Sequence, residues 1–163
     1  RGALMRETLI RGADHILTMN DRREELQGAD ILIREGAIAA VGRGLTTSGA
    51  VLEAAGCVVT PGLVNTHHHL YQNLTRAYPP MTSSPLFGWL QTLYPLWSTL
   101  DEESAHVSAW VGLAELALSG CTTSTDHLYV HPKGGGDFLS AEIAAAVDLG
   151  MRFHPTRGSI SLS

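Results

Sequence analysis

The 163-residue chain is 44% hydrophobic and 17% charged, a balance that excludes a disordered or low-complexity polymer. Its 16 acidic and 11 basic side chains leave a net charge of −5, and only Arg22 and Arg23 are adjacent bases. That scatter excludes the cationic stripe that nucleic acid or an anionic membrane requires, so a small, neutral or weakly charged molecule is the expected partner.

No apolar run reaches the roughly 18 residues of a spanning helix. The opening Arg1-Gly2-Ala3-Leu4-Met5-Arg6-Glu7 lacks a secretory apolar segment, so a cytoplasmic location is expected. Cys57 and Cys121 are too few for a disulfide framework and read as buried free thiols.

Up to about Thr60 the chain reads as short strands. Leu9–Ala13 leads into His15–Met19, and a polar turn follows at Asn20–Glu24. Next come Ala29–Arg34, the Glu35-Gly36 hairpin turn, and Ala37–Gly42. Val51–Ala54 and Cys57–Thr60 complete a β-rich unit, read as the first part of a sandwich domain spanning residues 1–60.

From Pro61 the periodicity changes. Leu63–Thr66 reads as a strand, followed by a polar and aromatic stretch. Its prolines at 79, 80, 85 and 95 favour a loop. Thr99 and Glu102 form a capping-box pattern. Behind it, Val107, Trp110, Val111, Ala114, Ala117 and Leu118 recur at helical spacing, which predicts an inward apolar stripe ending at Gly120. Cys121–Thr125 is a second strand running into Asp126-His127. Gly134–Gly136 lacks the ending of a phosphate loop and reads as a connection. A helix over Ser140–Leu149, closed by Gly150, precedes a third strand over Met151–His154.

Strands alternating with helices specify βαβ units and a parallel sheet. A β/α barrel needs eight such units in roughly 250 residues. Residues 61–163 are therefore expected to be the first three units of a truncated (β/α)8 barrel of the TIM type, ending at Ile160–Ser163 without a closing element. Taken alone, such a piece leaves an open sheet edge. It is expected neither to fold cooperatively nor to turn over substrate.

Catalytic groups of such barrels gather at the C-terminal ends of the strands. His67-His68-His69 falls there on the first strand. Alternation sends His67 and His69 to one side, where both imidazoles can reach one ion, and His68 to the other. The triplet alone is equally compatible with a surface cluster of histidines.

The wider run Val58-Val59-Thr60-Pro61-Gly62-Leu63-Val64-Asn65-Thr66-His67-His68-His69 resembles the signature of the amidohydrolase superfamily. That family has a metal-dependent β/α barrel, often preceded by a small sandwich, whose first strand ends in His-x-His. Gln72, the segments Leu86–Leu90 and Leu93–Trp97, Ser119–His127 and His154–Ser159 look like the branch that deaminates or dechlorinates purines and triazines. Within that branch the likeness is strongest to members acting on 8-oxoguanine.

The resemblance implies one divalent metal, zinc with iron as the alternative, held in part by His67 and His69. Later His and Asp ligands and a Glu proton shuttle would lie beyond Ser163. It implies hydrolytic deamination of a purine-like heterocycle, with 8-oxoguanine as the expected substrate, in an enzyme that is a homo-oligomer at full length. The rival activity is hydrolysis of an s-triazine or hydroxytriazine, and the rival class is a scaffold that has lost its metal. The other zinc deaminase design, H-x-E with P-C-x-x-C, is absent.

Four residues are candidates for substrate contact. Gln72 corresponds to an amide that binds the base in guanine-deaminase-like members; the alternative is a solvated loop amide. His127 ends the second strand, facing the barrel mouth or bonded to Asp126. Arg157 ends the third, meeting developing negative charge or a neighbouring carboxylate. Trp97, with Trp89, belongs to an aromatic lid or to the core. His15, His106 and His131 are read as non-ligands, and Trp110 as packing against the barrel wall.

Overall fold

The computed structural model describes residues 7–159, so the expectations for the first six residues and for Ile160–Ser163 lie outside the described residues. The chain divides after Pro61 into two compact units.

The first unit holds β1 (Glu7–Leu17), β2 (Glu25–Arg34), β3 (Ala37–Gly42), β4 (Ala50–Glu53) and β5 (Val58–Val59). They make one five-stranded sheet in the order β3-β2-β1-β4, with β5 also paired to β1. The second layer of a sandwich is not among the described residues. Leu9–Ala13 and His15–Met19, read as separate strands, are one strand whose register shifts between Ile10 and Ala13. Gly12 sits in that bulge at φ 68°, where a Cβ would be strained. Ala13, Ile16, Ala29, Ile31 and Ala54 form the core beneath it. Cys57, expected inside, is exposed, while Cys121 is buried.

Asp30 locks the bulge. Its buried carboxylate accepts from Gly12 N at 2.8 Å and Leu45 N at 3.0 Å. The Gly12 amide, followed by the Leu45 and Gly44 amides, holds the Asp30 pKa below its ordinary value against the opposing effect of burial. Stability from a depressed carboxylate is present above its unfolded pKa and lost as pH falls through the folded one. Asp30→Ala is expected to cost about 1–3 kcal/mol, because two amides lose their acceptor. In a urea titration at pH 7 compared with one below pH 3, the gap between wild type and variant should narrow at the acid end.

The second unit holds β6 (Leu63–Asn65), α1 (Leu86–Trp97), α2 (Glu102–Leu118), β7 (Cys121–Leu128), α3 (Phe138–Leu149) and β8 (Arg152–Arg157). The sheet order is β6-β7-β8, all parallel, with helices as crossovers. This is the β/α pattern expected. Pro155 lies within β8 and pairs in register with Asp126 of β7. The strand runs on to Arg157.

Three local expectations are corrected. The aromatic stretch is not a loop but short 3-10 turns at Leu70–Thr75 and Pro79–Met81 followed by α1. Proline position decides this: Pro85 is the N-cap and Pro79-Pro80 open a turn, where a missing N–H costs little. Thr99 does not cap α2. Asp101 does, accepting from Ser104 N at 2.9 Å, while the Thr99 hydroxyl donates to Leu96 O behind α1.

The third concerns which face of α2 is inside. Trp110 is 44% exposed and Leu118 90%, so neither packs on a barrel wall here; Ala105, Ser108, Ala109, Gly112 and Leu113 are buried instead. Close approach selects the small-residue face. A Cβ on Gly112 would run into the side chains of Asn73 and Leu70, and Ala109 and Leu113 meet Ala145 and Ala146 of α3 in one cluster.

Candidate metal and substrate site

The site grows from the end of β6. Asn65 donates to the Ser124 hydroxyl at 3.0 Å, fixing β6 beside β7. The chain then runs through the histidine triplet into the Leu70–Thr75 turn, and β7 grips it three times in succession. His127 N donates to His68 O at 2.9 Å. His69 Nδ1 lies 2.8 Å from His127 O, and Leu70 N donates to Asp126 Oδ1 at 2.6 Å.

A carbonyl only accepts, so the His69 contact puts the proton on Nδ1 and leaves the Nε2 lone pair free, the state a metal ligand needs. The His67 and His69 rings lie edge to face with centroids 5.3 Å apart. Two imidazoles sharing one tetrahedral ion at roughly 2.0–2.1 Å per bond place their centroids about 5 Å apart. The pair therefore suits a divalent metal. Among the described residues no group of three or more His, Cys, Asp or Glu side chains is arranged to hold one.

His68 is half-buried, and its Nδ1 is closed off without a partner. Burial lowers its pKa, with smaller contributions from His69 and His67, so it favours the neutral ring.

The histidines border a cleft of about 420 Å³ that Gln72, Met81 and Trp89 also line. Gln72 Nε2 lies 3.3 Å from the Tyr71 hydroxyl and 3.5 Å from that of Tyr129. Trp97 does not line the cleft: it is fully buried against Tyr71, Trp89 and Tyr94 and donates to Thr75 Oγ1 at 3.0 Å. Trp89, the other indole of the expected lid, reaches the cleft instead. Helix formation causes the exchange, turning Trp97 inward in the last turn of α1.

Arg157 lines a second cleft, of about 880 Å³, with Phe87, Tyr94, Tyr129 and His131. It makes no ion pair among the described residues, so the expected rival carboxylate is not found there. The His127 side chain is exposed and its ring centroid lies 5.5 Å from that of His69. Asp126 does not bond it, because alternation along β7 turns Asp126 inward, where Leu70 N takes one oxygen. Tyr129 was not foreseen. Its ring stands edge-on to His69 at 5.2 Å, and its place two residues after His127 on the same course was the available signal. Among the described residues no helix is long and apolar enough to cross a membrane.

The amidohydrolase family profile matches residues 58–163. This chain belongs to the amidohydrolase family. It is 52% identical over 68% of its length to 8-oxoguanine deaminase of Pseudomonas aeruginosa, a match covering 24% of that protein. It is 37% identical over 97% of its length to hydroxydechloroatrazine ethylaminohydrolase of Pseudomonas sp. strain ADP, covering 36% of it. The fold matches a triazine hydrolase from Arthrobacter aurescens with a TM-score of 0.90, at 33% identity over 97% of this chain and 37% of that one. An atrazine chlorohydrolase from the same species, complexed with zinc, matches with a TM-score of 0.89 at 32% identity over 96% of this chain and 36% of that one. The chain thus spans about a third or less of these relatives, and its fold is that of the corresponding portion of an amidohydrolase barrel.

Proposed function

We propose that the whole protein hydrolytically deaminates a purine-like heterocycle, with 8-oxoguanine as the preferred substrate. The observation that carries this reading is the His67–His69 pair at the end of the first parallel strand, with His69 oriented by the His127 carbonyl. Similarity to 8-oxoguanine deaminase, strongest among the relatives described above, supports the substrate.

His67 and His69 would hold part of the coordination shell of a divalent ion, zinc by analogy with the zinc-complexed relative, which would make its water acidic enough to supply hydroxide near neutral pH. Four residues of this chain would handle the substrate. Gln72, whose amide nitrogen donates to two tyrosine hydroxyls, keeps its carbonyl oxygen as an acceptor for the edge of a heterocycle. Trp89 presents an apolar wall to its face. His127, beside His69, and Arg157, at the end of β8, stand at strand ends where charge develops as the ring carbon becomes tetrahedral.

A second reading, hydrolysis of an s-triazine, is favoured by the fold match to triazine hydrolases. The heterocycle separates the two, and for a chlorotriazine the leaving group as well. Release of ammonia or amine, and of chloride, from the whole protein should be measured across aminopurines and amino- and chlorotriazines. Turnover of 8-oxoguanine above all others is the expected result. No ammonia from any aminopurine, with a triazine consumed, would establish the second reading. No product at all from a protein lacking stoichiometric metal would make it a scaffold.

A further inference from the structure

Two buried acids behind the histidines have no place in the chemistry above. Asp126, 1% exposed, uses Oδ1 to accept from Leu70 N at 2.6 Å, while Oδ2 is closed off with no partner. Glu142 on α3 is fully buried, and neither of its carboxyl oxygens has a partner. No arginine, lysine or histidine pairs with either acid among the described residues. Burying a carboxylate is costly unless it is hydrogen-bonded, and the bond that Asp126 makes is the one from Leu70 N.

We propose that Asp126 is a positioning residue for the metal-binding histidines, holding the backbone at Leu70 through its Oδ1. The inference rests on the metal reading of His67 and His69. Geometry supplies the lever. Leu70 directly follows His69, so the Asp126 carboxylate fixes the backbone where it leaves the ligand pair. The neighbouring residue, His127, fixes the His69 ring and the His68 carbonyl from the same strand. A ligand pair clamped on its C-terminal side by one strand depends on that strand's inward-facing acid.

The test uses the whole protein loaded with zinc, and reads zinc affinity by chelator competition together with the visible spectrum of the cobalt-substituted form. A first arm compares wild type with the His67→Ala/His69→Ala double variant. If wild type binds no metal, or the double variant binds as tightly, the metal reading itself fails. The second arm compares Asp126→Asn, whose side-chain oxygen still accepts from Leu70 N, with Asp126→Ala, which offers no acceptor. Zinc affinity should fall about 10–100-fold in Asp126→Ala, the range for groups that orient a ligand, with an altered cobalt spectrum. In Asp126→Asn both should remain near wild type. Equal affinity in folded Asp126→Ala, or equal loss in both variants, overturns the proposal. Should Asp126→Ala not accumulate, Asp126→Leu, which fills the space without an acceptor, takes its place in the same comparison.

Discussion

Replacing His67 and His69 together by alanine is expected to strip the metal from the whole protein and lower kcat/KM by at least about a thousandfold. A thousandfold corresponds to roughly 4 kcal/mol of transition-state stabilisation. The loss should be that large because water without the ion is far less acidic than metal-bound water, leaving almost no hydroxide at neutral pH. His69→Ala alone should come close to the double variant, since the oriented ring is then gone. His68→Ala is the informative contrast. Its ring nitrogen is enclosed and unpartnered rather than presented with the other two, so this variant should keep stoichiometric zinc. Metal content by atomic spectroscopy with steady-state rates checks all three, and full zinc in the double variant would sink the assignment.

Trp97→Ala is expected to destabilise the protein by about 3–5 kcal/mol, the range for removing a fully buried aromatic side chain. The indole contacts Tyr71, Trp89 and Tyr94 edge to face, with centroids 5.1, 5.2 and 5.5 Å away. It also holds Thr75, whose hydroxyl donates to Gln72 O at 3.2 Å. Loss of Trp97 should therefore loosen the turn that carries Gln72. Trp89→Ala is expected to behave differently, because Trp89 is only half-buried and borders the cleft. Its main effect should be a raised KM, with a smaller change in urea midpoint. Circular dichroism in urea and the KM against kcat comparison separate the two residues. A cleft defect in Trp97→Ala at unchanged stability would restore it as a substrate contact.

These tryptophans show where local pattern reaches its limit. Four prolines in a short aromatic stretch read as a loop, yet Pro79, Pro80 and Pro85 stand at element starts, and Pro95 alone lies inside α1, near its end. The apolar spacing of Val107, Trp110 and Val111 read as the inner face of α2. The inner face is the small one, because Leu70, Asn73 and α3 come close enough to exclude anything larger. Likewise Asp101 outcompetes Thr99 as a cap because Thr99 is still finishing the preceding helix. Each case turns on a neighbour distant in sequence or on the next element's ending.

The histidine pair was legible for the opposite reason. Two-residue alternation along an extended strand is local, so the spacing of His67 and His69 suffices to place both on one side. The strand and helix order, the Glu35-Gly36 hairpin and the change of periodicity near Pro61 are equally local signals. By itself, then, the sequence determined the β/α pattern, the β-rich unit before it and the ligand-like pair. Only the tertiary structure decided the tautomer of His69, which indole meets the cleft, and that the buried Asp126 carboxylate holds Leu70 N just after the triplet. Those outcomes depend on hydrogen bonds and burial between residues tens of positions apart, and no periodicity within a single segment records them.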